Sequence, residues 1–255
     1  MEPEDRELVL NLCAIHDVKQ RSYALASRFL DLADDHVVSL MKAIQEEASL
    51  GQGESCSLYA ALTVTSVLNE VLGDRKMSRL IAAAQRRQEF SVVSLLMDVR
   101  TEVQHDAPFQ PFLDSSLKDV PLGIRKALAR RPDFKLIQRI ARDQDHRVIE
   151  HLLDNPRLTE ADVVKIGSTR PTSPKVLQAI YEHRKWINRY SVKKTIVFNP
   201  YAPLSMALRL LPFMRLQDLE EIISSSHLDP VLVQEASRAR GKKGKVNHHE
   251  ETLDF

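Results

Sequence analysis

The chain of 255 residues is poor in glycine and cysteine, and each shortage excludes something. Seven glycines lie well below the roughly 7% of average usage, so few positions suit the φ > 0 turns of hairpins or phosphate-cradling loops. Two cysteines, Cys13 and Cys56, cannot make a disulfide framework and read as buried free thiols on apolar helix faces. No window approaches the 18 or so uninterrupted apolar residues of a membrane span. The acidic Met1-Glu-Pro-Glu-Asp5 start is the opposite of a secretory leader. A cytoplasmic protein with no membrane partner is expected. Net charge is nearly absent too, at +1, but the total hides an asymmetry. Residues 121–255 hold 24 Lys plus Arg against 16 Asp plus Glu, whereas residues 1–120 hold 12 against 19. Such a division suits an acidic partner on the basic half, or mutual attraction of the halves.

What is present is hydrophobic content of 43%, enough for a substantial core, arranged with helical period. Tyr23, Leu25, Ala26, Phe29 and Leu30 recur at three and four, as do Val37, Val38, Leu40, Met41, Ile44 and Ala48. Gly51-Gln-Gly53 interrupts the pattern. Ser55 can cap a helix that runs to about Leu72, where Gly73-Asp74 stops it. Further helices are expected over 75–88 and 91–104, and the Leu8–Ile15 run is read as helix. Pro108 and Pro111 bias their predecessors away from helix and mark the main boundary. The expected organisation is an N-terminal helical region over 1–107, short-helix repeats over 112–239, and a disordered tail over 240–255, basic and then acidic.

Beyond Pro111 a frame recurs. Ile124 to Pro132, Val148 to Pro156 and Val192 to Pro200 each place an aliphatic residue four after a β-branched one and a proline eight after it. Helices are expected between and after them, over 159–167, 173–181, 203–211, 216–224 and 229–239, with Thr159 capping the first. Rods this short cannot bury an apolar face alone and must stack on their neighbours. The runs Leu153-Asp-Asn-Pro156, Val197-Phe-Asn-Pro200 and Arg215-Leu-Gln-Asp218-Leu resemble the variant leucine-rich and HEAT-like repeats of bacterial helical-repeat proteins, over about 121–239. The resemblance implies an all-α, right-handed α-solenoid of HEAT-like helical repeats, with longer helices in the N-terminal half and about twelve to fifteen helices in all. It implies a binding habit and no reaction. The 44-residue gap before the third frame departs from a regular array.

Catalytic motifs are weak. Gly51-Gln-Gly53-Glu-Ser-Cys56 has cysteine where a dinucleotide loop needs its third glycine, and no strand before it. Lys76-Met-Ser78 is three residues of a synthetase-like loop and reads as chance. His105-Asp106, with His36 or His16-Asp17, would suit a metal-dependent phosphohydrolase of the HD type, but the prolines that follow put the pair at a helix end. Cys13, His16 and Cys56 are too few for zinc. His151 reads as a packing residue, His227 as a loop residue, and His248-His249 as part of the tail. The strongest candidate is a basic, aromatic stretch: Arg184, Lys185, Trp186, Arg189, Tyr190, Lys193 and Lys194, with Arg170 before it. Cations can neutralise phosphates while Trp or Tyr stacks on a base. The plainer alternative makes Trp186 and Tyr190 one core-facing pair beneath a solvated charged face. The expected function is a non-catalytic scaffold or adaptor that needs no cofactor or metal and binds another macromolecule, a protein. Nucleic-acid binding through the basic half, as in HEAT-like DNA glycosylases, is second. The phosphohydrolase is third.

Overall fold

The apolar stripes of the N-terminal half become helices in the computed structural model, which describes residues 3–50, 53–97, 117 and 119–251. Sixteen α-helices, one 3-10 turn and no strand occur among the described residues. No single helix there is long and apolar enough to cross a membrane. The chain divides into two compact units: residues 1–98, 211–223 and 231–255 in the first, and 99–210 with 224–230 in the second.

The first unit contains α1 (Pro3–Cys13), α2 (Val18–Asp31), α3 (Asp34–Ser49), α4 (Gly53–Leu62), α5 (Thr65–Arg86) and α6 (Phe90–Leu96). Phe29, Met41, Ile44, Tyr59 and Leu80 are fully enclosed where these helices meet. Asp17 caps α2 by accepting the Gln20 amide at 2.8 Å. At the next corner Lys76 donates to the Leu32 carbonyl at 2.7 Å and pairs with Asp34 at 3.0 Å, a structural use of the Lys76-Met-Ser78 stretch. Arg79 grips Asp34 through two nitrogens at 2.8 and 3.0 Å and, ahead of Lys76, holds its carboxyl below the usual range.

Several expectations are corrected. Helix α4 begins at Gly53, so Ser55 is inside it and donates to the Glu47 carboxylate at 2.8 Å instead of capping. The expected helix from 55 to 72 breaks at Thr63-Val64, where the Thr63 hydroxyl bonds back to Ala60 at 2.7 Å and Val64 leaves helical geometry. The stop expected at Gly73 is there, by contrast: at φ 67° and ψ 165°, a conformation open essentially to glycine alone, helical geometry is lost and the chain kinks into a second helical run within the span of α5. The thiols of Cys13 and Cys56 are half-buried, not buried, and donate to the Glu54 and Ala48 carbonyls. Burial raises the Cys13 thiol above its ordinary pKa.

The 3-10 turn Leu211–Phe213, α15 (Leu216–Ile223) and α16 (Pro230–Glu251) also belong to this unit, so the second unit's helices end at 210 and not at 239. Phe213 meets the Tyr59 ring edge-on at 5.5 Å, and Arg238 donates to the Gln88 carbonyl at 2.9 Å. Helix α16 continues through 240–251, where a disordered tail is expected from composition. Lys243 supplies a reason: its ammonium donates to the Pro212 and Met214 carbonyls at 2.9 and 2.8 Å, satisfying groups orphaned at a helix end. The expected boundary at Asp106–Pro111 lies outside the described residues.

The second unit contains α7 (Leu122–Ala129), α8 (Phe134–Ile140), α9 (His146–Leu153), α10 (Glu160–Ser168), α11 (Pro174–Glu182), the single turn α12 (Arg184–Ile187), α13 (Tyr190–Val197) and α14 (Leu204–Leu210). Starts are set by caps: Asp133 for α8, Asp145 for α9, and for α10 a box in which Thr159 and Asp162 satisfy each other's amides. Burial pushes the Asp162 carboxyl upward, but the Thr159 and Gln138 hydrogen bonds outweigh it and leave it below its ordinary pKa. Helix α7 packs on α9 and α9 on α11, while α10 packs on α13. Gln138 of α8 donates to Asp162 of α10 at 2.6 Å, so α8, α10 and α13 form a second row beside α7, α9 and α11. The 44-residue gap has its explanation here. The first two frames are helices of one row, and the third, Val192–Pro200, belongs to the other.

Candidate functional site

The asparagine of each Asn-Pro pair is buried, at 1% exposure for Asn155 and 2% for Asn199. Asn155 follows the end of α9 and its amide donates to the Ala129 and Arg131 carbonyls at the end of α7, at 2.7 and 2.9 Å. Its own oxygen accepts the Arg157 amide at 3.0 Å. Asn199 repeats the arrangement in the other row, donating to Gly167 and Thr169 at the end of α10 and accepting from Tyr201. A third rung uses indole: Trp186 donates to the Leu153 carbonyl, at the end of α9, at 2.8 Å. The last carbonyls of a helix have no partner within it, so each rung satisfies one helix end with a side chain from the next.

These rungs fix where the cations lie. Stacking the ends of α7, α9 and α11 places Arg130 and Arg131, then Arg157, then Arg184 and Lys185, all exposed, at the ends of successively packed helices. Asp154, an acid on this edge, faces His183 at 3.2 Å. Arg131, Arg157 and Arg184 have no carboxylate partner among the described residues. Arg130 approaches the His151 ring at 3.3 Å, and burial, followed by the nearby Arg130 and Lys126 charges, lowers the His151 pKa. Cations also complement the negative ends of helix dipoles, by about 0.3–1 kcal/mol each. That need does not account for the surplus, since residues 119–210 hold 18 Lys plus Arg against 9 Asp plus Glu.

The residues singled out from the sequence do not gather on one face. Arg184, Lys185 and Trp186 stand on the edge just described. Trp186 is only 3% exposed, with the Lys185 ammonium 4.1 Å over its ring. So enclosed, it offers no open ring to stack on a base. Arg189 and Tyr190 begin α13, in the second row, where Arg189 lies 3.7 Å from Glu160 at the start of α10. Trp186 and Tyr190 are thus in different helices and form no single core-facing pair. Lys193 and Lys194 lie along α13, the latter 5.0 Å over the Phe198 ring. Arg170 caps the Phe198 carbonyl among the ends of the second row. Reading along the chain missed Arg130, Arg131 and Arg157, although the recurring Asn-Pro was a signal for the turns that carry them.

The other motifs have structural partners. His36 pairs with Asp5 at 2.9 Å and Asp17 caps α2, while His105-Asp106 lies outside the described residues. Among the described residues no group of three or more His, Cys, Asp or Glu side chains is placed to hold a metal ion. Comparison with protein-family models, curated proteins and solved structures gives no match.

Proposed function

We propose that this chain is a non-catalytic scaffold, whose second unit is a HEAT-like α-solenoid module holding an acidic protein segment along the Arg130, Arg131, Arg157, Arg184, Lys185 edge. The observation that supports this reading is the ladder of Asn155 and Trp186, which ties together the helix ends that carry these exposed cations. Protein is favoured over nucleic acid because the aromatic residue among these cations is enclosed, and sequence-tolerant single-strand surfaces depend on accessible rings.

The test is fluorescence anisotropy of the full chain with a labelled peptide alternating Glu and Leu and with single- and double-stranded oligonucleotides. Saturable peptide binding at about 50 mM salt, weakened by added salt and lost in the triple variant Arg131→Glu, Arg157→Glu, Arg184→Glu, is expected, with no saturable oligonucleotide binding under the same conditions. Tight oligonucleotide binding that collapses between about 50 and 200 mM salt would instead establish the nucleic-acid reading.

A further inference from the structure

The first unit carries a half-open cavity of about 300 Å³, at the small end of the range for ligand clefts. Helix α3 contributes Lys42 and Gln45, the turn after α5 contributes Arg87 and Glu89, and α16 contributes Glu235 and Arg238. Apolar wall comes from Leu211, Pro212 and Ala239.

Three features mark it as more than a packing gap. Gln45 is 7% exposed, and its side-chain oxygen is buried with no hydrogen-bond partner. A buried acceptor in that state costs about 1–3 kcal/mol, a penalty that a donor entering the cavity relieves. Secondly, acidic groups are concentrated where water is scarce. Glu235 is 7% exposed and receives Arg238 at 2.6 Å; burial, against the pull of Arg238 and with Glu89 adding to it, holds its carboxyl above the usual range. Glu89 is itself ion-paired with Lys42. Thirdly, Arg87 commits one guanidinium nitrogen to the Asp35 carbonyl and the Ser39 hydroxyl, at 2.8 and 2.9 Å. Its other N–H groups have no partner among the described residues.

A single cavity therefore combines an unmet acceptor, a buried carboxylate and an exposed guanidinium with N–H groups to spare. We propose that it binds a small zwitterion of the free amino acid class, its ammonium received by Gln45 and Glu235 and its carboxylate by Arg87. The side chain lies against Leu211, Pro212 and Ala239, which limits its size. A ligand of one charge meets only half of this chemistry: an amine leaves Arg87 unused, and a carboxylic acid leaves Gln45 unsatisfied and faces Glu235. The proposal rests on residues of the first unit alone and does not depend on the proposed function of the second.

Isothermal titration calorimetry of the full chain tests this, with glycine, L-alanine, L-leucine, L-glutamine, L-glutamate and L-arginine as probes. Each is followed by its amine and its carboxylic acid lacking the other group. One amino acid should bind at one site, with both truncated analogues at least about tenfold weaker, the loss expected for one charge-assisted hydrogen bond. Gln45→Leu and Arg87→Met should each weaken it to a similar degree. Gln45→Glu, which keeps an acceptor for the ammonium, should retain binding, and thermal unfolding of each free variant verifies that it folds. The proposal is overturned by no binding of any probe at about 1 mM, by an analogue that binds as tightly as its parent, or by folded Gln45→Leu and Arg87→Met variants that bind unchanged.

Discussion

Asparagine is chosen at 155 and 199 for its donor. Each side chain is enclosed, gives both amide hydrogens to carbonyls 24 to 32 residues earlier in the chain, and accepts a backbone amide two residues on. Asn155→Ala should cost about 1–3 kcal/mol, because it strands buried acceptors as well as losing bonds. Asn155→Asp has the same shape but presents a carboxylate to two carbonyl oxygens, and should be destabilised at least as much. Urea denaturation monitored by circular dichroism measures both, and an Asp variant with native stability would remove the donor role. From the sequence, Asn-Pro was legible as a helix stop. Its reach to another helix was not, since nothing local encodes a partner so far back. Trp186 shows the same limit: composition places it among cations, and only the tertiary fold turns its indole to Leu153.

The helices were legible where a stripe is strong, as for α3, or where a cap announces the start, as for α10 behind Thr159. Competing signals hid the rest. Helix α8, with seven residues, is too short to show a full stripe, and the break at Thr63-Val64 has no glycine or proline to announce it. Contact between helices of the second row depends on Gly167. A methyl group there would lie 3.0 Å from Thr195 Cγ2 of α13 and 3.6 Å from Ile180 Cδ1 of α11. Gly167→Ala gains about 0.5–1 kcal/mol of helix preference, but overpacking costs typically about 1–3 kcal/mol, so the variant should be net destabilised. Thr195→Ser removes the obstructing methyl, and in the double variant the helix gain should prevail. A double-mutant cycle with coupling below about 0.5 kcal/mol would show that α10 and α13 are not tightly engaged there.

For the molecule as a whole, the final helix decides how much of the chain the first unit needs. Lys243 places a half-buried ammonium on the Pro212 and Met214 carbonyls, and burial lowers its pKa. Deleting residues 240–255 should therefore lower the melting temperature of the first unit by removing charge-assisted bonds worth about 1.5–3 kcal/mol each, whereas loss of an unstructured tail would leave it unchanged. Scanning calorimetry of the full and shortened chains measures the difference.

The first unit is also discontinuous, completed by segments that follow the second unit in the chain. During synthesis, at about 5–20 residues per second, the helices made first must wait until the last have left the ribosome, while the segment between them can finish beforehand. The helices made earlier are thus the last to close, and any product that stops short near residue 210 emerges with the core of its first unit unsealed.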